Sequence, residues 1–211
     1  MLIYICMIRL IAIGDSLVFG KGVEKKHSWV SILQIEFDLI DKYNYQVFNL
    51  GIPGDDSGKL SKRIIDEVGN RLNDTDDNVH IFILIGVNDC KGIGNKDNFC
   101  TSKETFNSNL NQIIDSLKKY TDNINFISIL PVDEIKTRTI QGLFFRNDNI
   151  ELYNSYIQAM CLKKGVNYID IFSTWMKQNY QNYYAEDGIH LNVDGNKKVY
   201  SDLKHQILNA W

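Results

Sequence analysis

Proline is scarce in this chain, and no segment is built from a few repeated residue types. Only two prolines occur among 211 residues, and no internal repeat is present. Segments that join domains are usually rich in proline, glycine or serine, so no linker is indicated. A chain of this length can build one hydrophobic core that buries about 70% of its unfolded surface. We therefore expect a single domain spanning residues 1–211.

An excess of positive charge is also missing. The 23 lysines and arginines are outnumbered by 26 acidic residues, which leaves a net charge of −3. Proteins that bind nucleic acid or anionic membrane surfaces carry concentrated positive charge, so we expect neither partner. Nothing in the composition specifies an oligomeric state.

Long hydrophobic runs are absent. The most apolar stretch, residues 1–13, is interrupted by Arg9, and a transmembrane helix needs about 20 apolar residues. No small-residue cleavage site of a signal peptide follows before Gly14, and cleavage there would remove a predicted strand. Met7 is an alternative start of the chain, because residues 7–10 already open that strand. We expect neither a signal peptide nor stable insertion into a membrane.

Cysteine is infrequent, and its spacing is not that of a metal site. No C-x-x-C pair occurs among the four cysteines, which argues against a zinc knuckle and against a disulfide framework. Free thiols in a cytoplasmic protein are expected. The aspartates at 74, 76 and 77 are typical of a solvated loop and not of a metal site. The cysteines are Cys6, Cys90, Cys100 and Cys161.

Short runs rich in β-forming residues alternate with longer segments of helical periodicity. This alternation predicts an α/β fold in which helices cover both faces of a parallel sheet. The third run is apolar almost throughout, as expected for a central strand. In the segment that follows it, Thr101 and Glu104 have the spacing of a helix capping box. The predicted strands are Ile8–Ile13, Tyr45–Leu50, Val79–Ile85, Ile124–Leu130 and Val166–Ile171.

Residues able to carry chemistry follow three of these strands and precede the last helix. Ser16 comes after the first strand, Gly51 after the second and Asn88 after the third, while Asp187 and His190 lie before the final helix. In open parallel sheets, ligands bind beyond the carboxyl ends of the strands. We therefore expect these five residues to meet at one edge of the sheet.

Their side chains suit the transfer of an acyl group. A serine hydroxyl becomes a good nucleophile when an imidazole takes its proton, and a carboxylate fixes the tautomer of that imidazole. Ser16, His190 and Asp187 can supply these groups, and the spacing of three residues lets Asp187 and His190 come from one loop. The N–H groups of Ser16 and Gly51 and the amide of Asn88 are candidate donors to a negative oxygen. The pattern predicts a serine hydrolase.

Structural interpretations remain open for the individual residues. Ser16 and Asn88 could each cap a helix, and Gly51 could serve only a turn with positive φ. We expect Asp15 and Asp89 to accept hydrogen bonds from local backbone N–H groups in tight turns.

The other histidines compete weakly with His190 for the role of base. His80 is predicted inside a strand and His205 inside the last helix, so neither reaches the edge of the sheet easily. His27 follows the Ser16 turn and is the stronger competitor, but we expect His190, with Asp187 three residues before it, to be the base.

Four short motifs, taken in order, resemble the signature blocks of the SGNH or GDSL hydrolase family. Each motif is weak alone, but the four together span residues 14–190 and make a specific pattern. They are Gly14-Asp15-Ser16-Leu17, Asn49 to Gly54, Gly86-Val87-Asn88-Asp89 and Asp187-Gly188-Ile189-His190.

The resemblance implies a role for each matched residue. Ser16 would be the nucleophile, His190 the general base and then acid, and Asp187 its orienting carboxylate, with less weight on Asp187 than on the other two. Ser16 N–H, Gly51 N–H and the Asn88 side chain would form the oxyanion hole. The resemblance also implies a three-layer α/β/α, flavodoxin-like fold, a five-stranded parallel sheet in the order 2-1-3-4-5, and no metal or organic cofactor.

Two irregular aromatic stretches, residues 132–147 and 175–184, should emerge near the active edge. Phe144, Phe145 and Tyr184 within them either line a substrate pocket or close the core under the loops. The expected substrate is a small-molecule ester with a short acyl group such as acetyl; a thioester or a lysophospholipid is also compatible with the chemistry.

Two functions from other classes stay open. A protein of the same fold could bind an acylated carbohydrate or a protein without turnover. Nucleotide binding is disfavoured, because five residues separate Gly14 from Gly20 where a P-loop has four, and Gly22 stands where a P-loop has serine or threonine.

Overall fold

A five-stranded parallel sheet forms the centre of the computed structural model, which describes residues 7–72, 78–138 and 140–208. The strands lie in the order β2-β1-β3-β5-β7. Numbered within the sheet alone, this order is 2-1-3-4-5 and confirms the predicted topology. A two-stranded antiparallel pair, β4 with β6, lies outside the sheet. The strands are β1 Ile8–Gly14, β2 Tyr45–Gly51, β3 Asn78–Leu84, β4 Gly92–Ile93, β5 Ile124–Ile127, β6 Leu143–Phe144 and β7 Asn167–Ile169.

The central strands are buried because their side chains pack into both helical layers. In β1, Ile11 and Ile13 join one apolar cluster, whereas Leu10 and Ala12 join the other. This alternation follows from the pleat, which sends successive side chains to opposite faces. A strand that is apolar at every position therefore needs helices on both faces of the sheet. The sequence of the third predicted strand, Val79–Ile85, indicates the same arrangement.

Helices cover both faces of the sheet and complete the three-layer α/β/α fold. Buried residues of α3, α5 and α7 belong to one apolar cluster, and those of α2 and α9, with Trp175 of α8, belong to the other. The helices are α1 Ser16–Phe19, α2 Trp29–Asp41, α3 Ser57–Gly69, α4 Val87–Cys90, α5 Lys103–Leu117, α6 Glu134–Thr137, α7 Asn147–Lys164, α8 Phe172–Met176 and α9 Val193–Leu208, with 3₁₀ turns at Lys25–His27 and Tyr180–Tyr183.

Local capping sets where several helices begin and end. Ser102 caps α5, since its Oγ accepts a hydrogen bond of 3.3 Å from the N–H of Thr105. The predicted capping box that begins at Thr101 is therefore wrong by one residue. Gly165 ends α7, with the left-handed φ of 62° that glycine adopts without strain.

In the three described ranges, no helix combines the length and the apolar character needed to cross a bilayer. Cys90, Cys100 and Cys161 are free thiols. Cys6 and the predicted solvated loop with Asp74, Asp76 and Asp77 lie outside the described residues.

Candidate active site

Ser16 lies at the junction between β1 and α1. The strand ends at Gly14, where a Cβ atom would lie only 1.9 Å from the carbonyl oxygen of Leu84 in β3, so no larger residue fits. Asp15 then caps α1, its Oδ1 accepting a hydrogen bond of 2.9 Å from Leu17 N–H. Ser16 is therefore the first residue of a helix, and its own N–H has no partner within that helix.

A continuous line of hydrogen bonds connects Ser16 to an imidazole and a carboxylate. The Oγ of Ser16 lies 3.0 Å from Nε2 of His190. On the other side of the ring, Nδ1 lies 2.5 Å from Oδ2 of Asp187. Since a carboxylate only accepts, Nδ1 carries the proton and Nε2 is left as the acceptor for the hydroxyl.

Asp187 also shapes the loop that carries His190. Its Oδ1 accepts hydrogen bonds of 2.9 Å from the N–H groups of Ile189 and His190. Partial burial acts to raise the pKa of Asp187, but the hydrogen bonds from His190 and from the two backbone groups outweigh it and lower the pKa. The carboxylate therefore stays ionised at neutral pH, and the spacing of three residues serves a single loop as predicted.

Asn88 presents its amide from the first turn of α4. One hydrogen of Nδ2 is donated to the carbonyl of Asp55 at 2.9 Å, and Oδ1 accepts from the ammonium of Lys91 at 3.3 Å. These two bonds fix the orientation of the amide, because the nitrogen must face a carbonyl and the oxygen a cation. The second hydrogen of Nδ2 remains for a ligand.

The N–H of Gly51 does not face this site. Ile52 N–H donates to the carbonyl of Gly14 in β1, and successive N–H groups of a strand point to opposite sides. The N–H of Gly51 therefore points to the open edge of β2, where it donates to Oδ1 of Asn49 at 3.0 Å. The prediction that Gly51 donates to an oxyanion does not fit this geometry.

Gly51 instead allows two elements to approach each other. A Cβ atom at this position would lie 2.2 Å from the backbone nitrogen of Phe19 in α1. Farther along the same loop, Gly54 is exposed, has a φ of 83° and donates no hydrogen bond to any described residue. Its N–H precedes Asp55, whose carbonyl holds the Asn88 amide. Gly54 belongs to the second motif but was not singled out from sequence, because the direction of an N–H depends on the fold.

Arg63, which the sequence did not single out, joins the loops of the site from α3. Its Nη2 donates to the carbonyls of Gly14 and Leu50 at 3.0 and 2.9 Å. Its Nε lies 2.7 Å from the carboxylate of Asp55, the residue whose carbonyl holds Asn88. One guanidinium thus ties together the ends of β1 and β2 and the support of the Asn88 amide. The planar fork of arginine suits such multiple contacts.

Two aspartates of the motifs are buried beneath the site. Asp15 accepts locally from Leu17 as predicted, but Asp89 accepts from the N–H and the Oγ of Ser57, 32 positions away in α3. The prediction of a local partner for Asp89 is therefore wrong. Burial raises the pKa of Asp15 to about 7 and that of Asp89 to about 6. Oδ2 of Asp15 has no hydrogen-bond partner among the described residues.

We expect Asp15→Asn to become more stabilising, relative to the wild type, as the pH rises from 4 to 8. Because the folded protein raises the pKa of Asp15 from 3.8 to about 7, the carboxyl favours folding below pH 4 and loses that contribution as the pH rises towards 7. Asparagine keeps the acceptor for Leu17 and never ionises. The difference in free energy of unfolding should grow by up to about 4 kcal/mol, measured by urea denaturation. If the free energies of unfolding of the two proteins changed in parallel with pH, the raised pKa of Asp15 would be contradicted. The control is Asp97→Asn, at an exposed position.

The Ser16 hydroxyl bonds to His190 and to no other histidine whose side chain the structure describes. His80 is buried in β3, where Nε2 hydrogen-bonds Oδ1 of Asn78 at 3.0 Å near the amino end of the strand. His27 lies in a 3₁₀ turn, and the hydrogen bond of Ser16 is made to His190. His205 belongs to α9, but its side chain lies outside the described residues.

The three aromatic residues considered for a substrate pocket differ in burial. Tyr184 is only 3% exposed and its hydroxyl donates to the carbonyl of Pro131, and Phe145 is 7% exposed within the core. The core interpretation fits Tyr184. Phe144 is 38% exposed and lines, together with Phe145, a cavity of about 250 Å³, and the role of these two rings as a pocket wall stays a prediction.

Comparison with known proteins supports the resemblance to GDSL hydrolases that the sequence motifs indicate. GDSL esterase/lipase CPRD49 of Arabidopsis thaliana is 31% identical over 103 residues, which are 46% of this chain and 40% of that protein. This chain therefore matches less than half of the length of that relative.

Two solved structures share the fold. A lipase/acylhydrolase from Enterococcus faecalis gives a TM-score of 0.75 at 18% identity over 95% of both chains. The acetyl xylan esterase AlAXEase gives 0.74 at 19% identity over 94% of this chain and 99% of that chain. The sequence model of the GDSL-like lipase/acylhydrolase family matches residues 12–198. Since this match covers most of the sequence, the chain belongs to the GDSL-like lipase/acylhydrolase family.

Proposed function

We propose that this protein hydrolyses carboxylic esters of small molecules, with Ser16 as the nucleophile. The observation that carries the proposal is the unbroken line from Oγ of Ser16 through the ring of His190 to Asp187, with separations of 3.0 and 2.5 Å. Both distances are within the reach needed for proton transfer to a general base and for orientation of that base.

The reaction follows from these positions. As Oγ of Ser16 attacks the ester carbonyl, Nε2 of His190 takes the hydroxyl proton, and Asp187 stabilises the resulting imidazolium. The same proton is then given to the departing alcohol as the carbon–oxygen bond breaks. Water, deprotonated by His190 in turn, attacks the acyl-enzyme and releases the carboxylic acid with restoration of the Ser16 hydroxyl.

The negative oxygen of each tetrahedral intermediate needs N–H donors that are not already bonded. We assign Ser16 N–H, the second hydrogen of the Asn88 amide and the N–H of Gly54 to this task. The support is that Ser16 N–H lies at the start of a helix, Asn88 is held with one hydrogen spare, and Gly54 N–H has no partner among the described residues. Gly51 is omitted because Asn49 already accepts its hydrogen bond.

A short acyl group such as acetyl is the substrate that we propose first. Ser16 is only 4% exposed, so the carbonyl carbon must approach through a narrow opening. One structural neighbour, AlAXEase, is an acetyl xylan esterase, which agrees with this choice. Oxygen esters and thioesters present the same carbonyl to the site.

Replacement of Ser16 by alanine should abolish turnover. We expect Ser16→Ala to lower the kcat for p-nitrophenyl acetate and butyrate by at least about 10³-fold, because no other hydroxyl of the described residues bonds to Nε2 of His190. A fluorophosphonate probe should label the wild type but not this variant. The control is Ser155→Ala, an exposed serine of α7, which should keep both activities. Absence of serine-dependent release from any ester or thioester, together with absence of labelling, would indicate a binding protein.

Asp187 should matter less than Ser16. We expect Asp187→Asn to retain at least about tenfold more kcat than Ser16→Ala, because the base and the nucleophile both survive in this variant. The Asp187 side chain is 42% exposed, so water can replace part of its interaction with the imidazole. Steady-state kinetics with p-nitrophenyl acetate measures the difference. Equal losses in the two variants would show that the carboxylate is indispensable.

Arg63 should act on kcat through the position of the loops. We expect Arg63→Lys to lower kcat by about 10- to 100-fold with little change in KM, since lysine lacks the planar fork that reaches these three acceptors and small displacements of reacting groups are costly. Arg71→Lys is the matched control, because Arg71 interacts with Glu67 beyond the site. A loss confined to thermal stability, with kcat unchanged, would contradict the positioning role.

A further inference from the structure

A lysine binds the oxygen of the amide whose nitrogen we assign to the oxyanion hole. Oδ1 of Asn88 accepts a hydrogen bond of 3.3 Å from the ammonium of Lys91, while Nδ2 donates to the carbonyl of Asp55 at 2.9 Å. The bond to Asp55 occupies one hydrogen of the amide and leaves the other for the substrate. The proposed reaction sequence gives no role to the cation on the other end of this amide.

The backbone of Lys91 is held in place by its neighbours. Lys91 follows Asn88 by three positions at the end of α4, and residues with this spacing lie on the same face of a helix. Its carbonyl accepts a hydrogen bond of 2.9 Å from Cys100 N–H, and the next residue, Gly92, pairs with Phe144 of β6. The lysine side chain therefore starts from a fixed point close to the amide that it binds.

The ammonium of Lys91 bonds to an uncharged group. Asn88 is its hydrogen-bond partner, and no carboxylate among the described residues forms an ion pair with it. Lys164, by contrast, lies 2.7 Å from Oδ1 of Asp115. Lys91 is also half-buried, so its charge is partly removed from water without a counter-ion. Enzymes place cations in this way where negative charge develops during a reaction.

A cation at the oxygen of an amide makes its N–H groups stronger donors. The positive charge draws electrons from the nitrogen towards the oxygen, and hydrogen bonds that are linked in this way polarise one another. The bond from Lys91 also fixes the orientation of the amide, because only the oxygen can accept from an ammonium. Both effects act on the second hydrogen of Nδ2, which we assign to the oxyanion.

This effect is largest when the substrate oxygen becomes negative. An ester carbonyl oxygen carries only a partial charge, whereas the oxygen of the tetrahedral intermediate carries a full one. A polarised donor therefore stabilises the transition state more than it stabilises the bound ester. Interactions of this kind raise kcat and have little effect on KM.

We propose that Lys91 is a positioning residue, which orients and polarises the Asn88 amide for the oxyanion. The proposal rests on the proposed ester hydrolysis and extends it to a residue outside the line from Ser16 to Asp187. Lys91 does not touch the substrate in this arrangement, and its action passes through Asn88.

The test compares Lys91→Met, which keeps most of the side-chain length and removes the charge, with Lys91→Arg, which keeps the charge and the donors. Loss of an oxyanion donor costs about 10²–10³ in kcat, and weakening of a donor should cost less. With p-nitrophenyl acetate, we expect Lys91→Met to lower kcat by about 5- to 30-fold and to change KM by less than about twofold. Lys91→Arg should stay within about threefold of the wild type. Equal losses in the two variants would overturn the proposed role of the charge.

A double-mutant cycle with Asn88→Ala identifies the route of the effect. Because this variant has no amide, the addition of Lys91→Met to it should lower kcat by less than about twofold. Where turnover is too slow, the rate constant of labelling by a fluorophosphonate replaces kcat, since a phosphonyl oxygen needs the same donors. If Lys91→Met lowers the rate equally in the wild type and in Asn88→Ala, the lysine does not act through the amide and the proposal is wrong.

Lys96→Met is the matched control. Lys96 is an exposed lysine five positions farther along the chain, and its ammonium lies 3.7 Å from Oδ1 of Asp97, so its replacement should leave kcat unchanged. Urea denaturation of Lys91→Met should give nearly the midpoint of the wild type, and lower stability with an unchanged kcat would indicate a merely structural role. If stability and kcat fall together, the cycle with Asn88→Ala decides between the two roles. Absence of Ser16-dependent release in the wild type would instead reject the proposed function itself.

Discussion

The hydrogen bond between Ser16 and His190 joins residues that are 174 positions apart, and much of the described architecture serves to make this contact possible. Ser16 is held from below by the junction of β1 and α1, while His190 is held by a loop that bonds back to Asp187 and to the segment after β5. The junction of β1 and α1 and the loop of His190 are far apart in the sequence. The parallel sheet is what brings them together, because the loops that follow its strands emerge at one edge.

The close packing of that edge leaves little freedom for the residues around it. Gly14 and Gly51 sit where a Cβ atom would collide with neighbouring backbone, at 1.9 and 2.2 Å respectively. Arg63 then bonds to the carbonyls at the ends of β1 and β2 and to Asp55. Buried polar groups need hydrogen-bond partners, because an unpaired one costs about 1–3 kcal/mol. The Arg63 guanidinium is the hydrogen-bond donor for several buried acceptors at once.

The Asp15 carboxyl is only partly satisfied by hydrogen bonds. It caps the helix that begins with Ser16, yet one of its oxygens is buried without a partner among the described residues, and burial raises its pKa to about 7. A carboxyl beside the proposed nucleophile is thus held largely protonated below neutral pH. Residues at functional sites often lower the stability of a protein in this way, and interactions elsewhere in the fold compensate for the loss.

Local pattern determined much of this protein. Strand positions, the layered α/β class, the local hydrogen bond of Asp15 and the pairing of Asp187 with His190 follow from periodicities and spacings of a few residues, and the resemblance to a hydrolase family supplied the order of the sheet. Only the tertiary structure decided which groups face the site. The N–H of Gly51 points to the open edge of β2, Asp89 bonds to Ser57 on another helix, Arg63 reaches the ends of two strands, and Tyr184 packs into the core. These outcomes depend on strand parity and on contacts between distant segments, which no short window of sequence contains.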